Sequence, residues 1–260
     1  MSSPRIRVGL FVTCLVDLVR PQVGFAALRL LEEAGCDVVV PRGQTCCGQP
    51  AYNAGDRKNA AALVRQTITA FEDVDYVVVP SGSCAAILRL HGPELLAGDP
   101  DLAERARTFG EKVHELTAFL KDVLGVAEPP AASGAGGLRD VVYHDSCAGL
   151  RELGIREAPR ALLREVKGLT LRELGERDVC CGFGGTFCVK FPEISERLAT
   201  DKSVAAEEAG AKELVGGDLG CLLHLAGNLR ARGSRLRVRH VAEVLAGLDD
   251  KPAIGEPVED

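Results

Sequence analysis

Eight of the ten cysteines in this chain obey one spacing that occurs twice. Cys14, Cys46, Cys47 and Cys84 return as Cys147, Cys180, Cys181 and Cys221, at offsets of 133, 134, 134 and 137 residues. Near-constant offsets over that length mark a duplicated structural unit. The surrounding residues repeat as well: Thr13-Cys14 answers Ser146-Cys147, and Cys46-Cys47-Gly48 answers Cys180-Cys181-Gly182. Whatever fold the chain adopts must therefore place equivalent cysteines at equivalent points in both halves.

Short β-branched runs alternate with longer segments of helical period, which predicts an α/β fold. In the first half, residues 7–13, 37–41 and 75–80 read as strands, and 24–34 and 56–71 as helices. In the second, 140–144, 169–174, 213–217 and 236–240 read as strands, and 159–165, 194–209 and 222–230 as helices. The expectation is two pseudo-symmetric repeats, each a mainly parallel sheet flanked by helices. One stretch, 128–137, is rich in Pro, Gly, Ala and Ser without periodicity and reads as a linker. The repeats are thus expected at 1–127 and 138–260.

The length of 260 residues, with 46% hydrophobic and 26% charged residues, allows a sizeable core and argues against disorder. Net charge is −6 with both signs interleaved, unlike the concentrated basic face of a nucleic-acid binder. The basic run Arg230, Arg232, Arg235, Arg237 and Arg239 reads as a solvated face. The apolar run 8–12 is too short for a signal or a membrane span, so a cytoplasmic location is expected. Thiols stay reduced there, which turns the cysteine count towards metal or redox chemistry rather than disulfides.

Each predicted cysteine site follows a strand, and ligands of open α/β sheets gather at the carboxyl ends of strands. Four thiolates per half would then meet in one crevice. Soft thiolates select iron–sulfur clusters, zinc or copper(I). Neighbouring side chains of an extended segment point to opposite sides, so the Cys-Cys doublets suit a cluster with several irons better than a lone zinc. Gly182, Gly184 and Gly185 form a turn that packs closely on the site and lack the full dinucleotide fingerprint. His224 lies one helical turn beyond Cys221 and is a candidate ligand or tuning residue. His144 precedes Cys147 by three; it is a candidate lining residue of the same crevice, with a structural strand-end role as the alternative. Cys36 reads as a core residue; Cys188 is a fifth donor or a bystander. No nucleophilic triad, Walker motif or paired-carboxylate signature is visible, and no substrate base or arginine clamp stands out.

The doubled Cys…Cys-Cys-Gly…Cys pattern resembles the cysteine-rich (CCG) domain family, which includes the cysteine-rich component of heterodisulfide reductase and the glycolate oxidase iron–sulfur subunit. The strings Cys46-Cys47-Gly48-Gln49-Pro50-Ala51-Tyr52-Asn53, Pro80-Ser81-Gly82-Ser83-Cys84 and Cys180-Cys181-Gly182-Phe183-Gly184-Gly185-Thr186-Phe187 are similar to its lactate-utilization branch. The resemblance implies an iron–sulfur electron-transfer subunit for oxidation of L-lactate to pyruvate. It also implies two operon-encoded lactate utilization partners, at least one of them an iron–sulfur protein. By resemblance, Cys147, Cys180, Cys181 and Cys221 would hold a [4Fe–4S] cluster. Cys14, Cys46, Cys47 and Cys84 would form its counterpart, holding a second cluster or zinc. The fullest family pattern ends each motif in Cys-x-x-Cys, whereas Ile87 and His224 stand at those points here. The alternatives are a zinc-binding structural module and an iron–sulfur subunit for a related 2-hydroxy acid such as glycolate. A thiol–disulfide enzyme is the weaker alternative, since vicinal disulfides are strained.

Overall fold

The computed structural model describes residues 5–133, 138–175, 178–248 and 250–257. Valine-rich runs become short strands: β1 (Arg7–Leu10), β2 (Asp37–Val39), β3 (Tyr76–Val79) and β4 (Val113–Glu115) in the first half. The second half contributes β5 (Arg139–His144), β6 (Leu169–Arg172), β7 (Glu213–Gly216) and β8 (Arg237–His240). All pairings are parallel, and the two four-stranded sheets share one topology, β2-β1-β3-β4 and β6-β5-β7-β8. Parallel strands need helical crossovers, which cover both faces of each sheet.

Seven of these strands overlap the expected runs. β4 is the exception: Val-His-Glu has no β-branched run to announce it. The strand exists because its backbone adds to the edge of β3, with Val77 opposite Val113 and Val79 opposite Glu115. Helix Pro21–Glu33 begins three residues earlier than periodicity suggests, with Pro at its first turn, where the missing N–H costs nothing. Of the expected linker, Pro130–Ser133 forms a 3-10 turn and residues 134–137 lie outside the described residues.

One continuous core joins the halves. Leu10, Leu31 and Phe119 share it with Val142, Leu162 and Leu245, each such burial contributing roughly 1.5–3 kcal/mol. A second cluster, including Phe11, Ile68, Phe71 and Phe109, fills the other face of the first sheet. Polar bonds also cross between halves: Arg20 pairs with Glu243 at 2.9 Å and donates to the Pro252 carbonyl at 2.8 Å. The arginine run is not uniformly solvated. Arg239 is buried, and both it and Arg237 face the Glu213 carboxylate of neighbouring β7.

Candidate metal centres

Three adjacent strands in each sheet deliver the cysteines from their carboxyl ends. After β1, Cys14 opens helix Cys14–Val19, capped by Thr13; after β5, Cys147 opens helix Cys147–Arg151, capped by Ser146. Cys46-Cys47 and Cys180-Cys181 lie in the loops that follow β2 and β6. Cys84 and Cys221 sit in the helices that follow β3 and β7, Gly82–Ala86 and Leu219–Ala231.

The eight thiols form two quartets with the same order of contact. In the first, Cys14 and Cys47 both bond to Cys46, and Cys47 donates to Cys84 at 3.2 Å, Sγ to Sγ. In the second, Cys147 and Cys181 both donate to Cys180, and Cys181 contacts Cys221. The Gly48 N–H adds a bond to Cys46 Sγ at 3.5 Å, and the Gly182 N–H one to Cys180 Sγ at 3.3 Å. These donors hold Cys46 and Cys180 far below the usual thiol range, the bond from the distant cysteine being the largest cause and that from the adjacent one the next. The donors Cys14 and Cys147 are pushed up, by the same bond and by burial. Metal binding would release the thiol protons that remain.

The neighbouring thiols of each doublet meet instead of diverging, contrary to the expectation for an extended segment. The loops are not extended: Gly48 (φ 95°) and Gly182 (φ 87°) turn the chain immediately after the doublet. Only glycine takes this left-handed conformation without strain. Gly182 also lies so close to the backbone of helix Pro192–Glu208 that a Cβ there would stand 2.4 Å from the Ser195 carbonyl oxygen.

Several residues around the second quartet have defined partners. His224 Nε2 is 3.1 Å from Ser195 Oγ, which donates to the Gly182 carbonyl at 2.9 Å. With the hydroxyl proton spent there, Nε2–H donates to Ser195, so His224 braces the Cys-Cys-Gly turn. Gly184 and Gly185 continue the turn at positive φ; the Gly184 carbonyl accepts from Asn53 of the first half, and the Gly185 carbonyl from the Cys188 thiol at 3.1 Å. Cys36 is buried in the common core.

Two features of the second site go beyond the sequence reading, which brought His144 to the crevice but not to particular sulfurs. His144, the last residue of β5, has a ring nitrogen in a group with Cys181 Sγ and Cys221 Sγ, all within 4.8 Å of one another. Its burial, and secondarily the Lys202 charge, push its pKa down to about 3, so the ring is neutral. The other feature is Asp218. It occupies the N-cap of the Cys221 helix, yet its carboxylate accepts from Ser81 Oγ (3.1 Å) and Ser83 N–H (3.0 Å) of the Cys84 helix. Aligning His144 with Phe11, at the same offset as the first cysteine pair, would have exposed the first; nothing local announces the second.

Two sheets of one topology, each presenting a Cys…Cys-Cys-Gly…Cys quartet, define a duplicated cysteine-rich fold. The chain belongs to the cysteine-rich (CCG) domain family, whose pattern matches residues 8–89 and 141–226. It is 49% identical over 240 residues to "Lactate utilization protein A" of Geobacillus kaustophilus (strain HTA426), covering 92% of this chain and 98% of that one. With the protein of the same name from Bacillus subtilis (strain 168) the identity is 45%, covering 92% and 99%. Among solved structures, a hypothetical protein from Helicobacter pylori shares the fold, with a TM-score of 0.65 at 12% identity. That similarity covers 98% of this chain and 50% of the other.

Among the described residues, no helix is long and apolar enough to cross a membrane.

Proposed function

We propose that this chain is an iron–sulfur electron-transfer subunit of a complex that oxidises L-lactate to pyruvate. The observation that carries the reading is the second quartet: Cys147, Cys180, Cys181 and Cys221 gathered at the strand ends and bonded in that order. This donor set fits an iron–sulfur group by softness, number and convergence. A [4Fe–4S] cluster bound there would supply reversible one-electron transfer. The names of the relatives supply the pathway. Lactate oxidation releases two electrons and two protons, and this chain relays the electrons one at a time between partner proteins. Those partners are two lactate utilization proteins encoded with it, at least one of them also an iron–sulfur protein.

The chain's own residues set the conditions. Gly182 N–H donates to Cys180 Sγ, and hydrogen bonds to ligand sulfur raise a cluster's potential by stabilising the reduced, more negative state. Cys181 and Cys221 are buried whereas Cys147 and Cys180 are partly exposed, so the latter pair faces the route by which an electron arrives.

A second reading, a zinc-binding structural module, is favoured by one observation. Adjacent thiols converge closely enough to serve a single tetrahedral ion. Iron, zinc and acid-labile sulfide counted per chain, with EPR, on protein purified without oxygen separate the two. About four irons and four sulfides, lost in Cys181→Ser and kept in Cys47→Ser, are expected for one cluster in the second half. About eight of each would load the first quartet with a second cluster. Stoichiometric zinc without sulfide would replace the electron-transfer reading with the structural one.

A further inference from the structure

The quartets share their thiols, so what distinguishes the two sites lies around them. His144 stands 133 residues after Phe11, the offset that relates Cys147 to Cys14. The first site therefore has a benzyl side chain where the second has an imidazole. A second difference comes from the helices behind the doublets. Gly48 rests on Ala60 and Leu63, Gly182 on Ser195 and Leu198, an offset of 135. At that offset buried Lys202 replaces Thr67, whose hydroxyl is spent on the Leu63 carbonyl. At these two positions the first site has a phenyl ring and a hydroxyl, and the second an imidazole and an ammonium.

His144 is 1% exposed, and neither ring nitrogen has a hydrogen-bond partner among the described residues. Leaving a buried polar atom without a partner forfeits its hydration with nothing in return, and this ring carries two such atoms. His240 makes the contrast: equally buried, it accepts the Ala242 N–H at 3.1 Å through Nδ1. Cys181 Sγ and Cys221 Sγ both lie within 4.8 Å of a ring nitrogen of His144.

The geometry points to His144 as a nitrogen ligand of the metal group at the second quartet, on the side of Cys181 and Cys221. The inference rests on the reading that this quartet holds metal, whether as a cluster or as a single ion. It gives the second site five donors, one more than the four irons of a [4Fe–4S] cluster take, so His144 would hold one iron in place of one of the four thiolates. A neutral imidazole leaves the bound group less negative than a thiolate would, and Lys202 acts in the same direction. Both raise the potential of a cluster there above that of the same cluster held by thiolates alone.

The test uses the full chain, labelled with 15N-histidine and purified without oxygen. Pulsed EPR of the reduced protein should show the hyperfine coupling of a directly bound nitrogen. His144→Phe, which copies the first site, should lose it; His224→Ala should keep it. His144→Cys should retain iron without the coupling and shift the midpoint to lower potential. Full iron and sulfide with no nitrogen coupling in the unsubstituted protein would overturn the inference while leaving the electron-transfer function intact. If iron and sulfide are absent, that function fails, and Co2+ alone then probes the ligand in a Cys47→Ser background. A paramagnetically shifted imidazole N–H, with Co2+ binding weakened at least roughly tenfold by His144→Phe, would support the assignment. Unchanged Co2+ binding in His144→Phe would refute it.

Discussion

The paired glycines Gly48 and Gly182 allow an internally controlled test of how tightly each Cys-Cys turn is built. Both have left-handed backbone, φ 95° and 87°, so alanine at either position incurs about 1–2 kcal/mol of conformational strain. Their surroundings differ. At Gly48 the added Cβ would stand 3.3 Å from the Ala60 carbonyl oxygen and 3.6 Å from Leu63 Cβ, which small adjustments relieve. At Gly182 it would stand 2.4 Å from the Ser195 carbonyl oxygen and 3.0 Å from Leu198 Cβ. Backbone must move there, adding about 1–3 kcal/mol of overpacking. Gly48→Ala should therefore cost about 1–2 kcal/mol and Gly182→Ala about 2–5 kcal/mol. Urea unfolding of the reduced, metal-free protein measures both, provided the m-values match. Equal costs, or a larger cost at Gly48, would refute the claim that the second turn is pressed harder against its helix.

Two further outcomes follow from buried charge. Arg160 is buried and holds the buried Asp145 carboxylate with two bonds of 2.7 and 2.8 Å, while its Nε bonds to Glu173 at 2.9 Å. Arg160→Met strands Asp145 between His144 and the Cys147 cap, and should cost about 3–5 kcal/mol in urea melts, partly recovered by adding Asp145→Asn. Glu115 is fully buried; desolvation, the largest cause, raises its pKa to about 7 from 4.5 despite bonds from Thr117 and Ala118. The folded state then binds the proton more tightly than the unfolded one. Its contribution is complete below pH 4.5 and lost as pH rises to about 7, a span worth about 3 kcal/mol. Melts of Glu115→Gln against the parent protein between about pH 5 and 8 should show that this slope is absent in the variant, and parallel curves would contradict the assignment.

The thiol quartets were legible because cysteine repeats are visible at any separation, whatever the fold between them. The strands were legible where valines cluster, as in residues 76–79, and illegible at β4, where pairing with β3 alone makes a strand of Val-His-Glu. Its spacing from Cys147 brought His144 to the crevice, but not to particular partners. Its proximity to Cys181 and Cys221 arises from β5 lying between β6 and β7, a relation that no window of sequence contains. His224 shows the converse. Helical spacing placed it correctly on the Cys221 helix, yet Ser195, brought in by a different helix, takes its Nε2.

Duplication by itself would leave two independent sites, and the contact between the halves removes that independence. Ser81 Oγ caps the Cys84 amide at 3.2 Å and also donates to Asp218, the residue from which the Cys221 helix starts. Gly82 lies so close to the opposite half that a Cβ would meet Ser146 Oγ at 2.6 Å, and Ser146 caps the Cys147 helix. One cysteine-bearing helix of the first half is therefore anchored on the starts of two cysteine-bearing helices of the second. Asp218 bonds across to the first half and makes no cap to its own helix. The symmetric arrangement is broken at the point where the two sites approach each other. The same half that donates Asp218 also carries His144 and Lys202, so divergence in charge and in hydrogen bonding is concentrated at the second quartet.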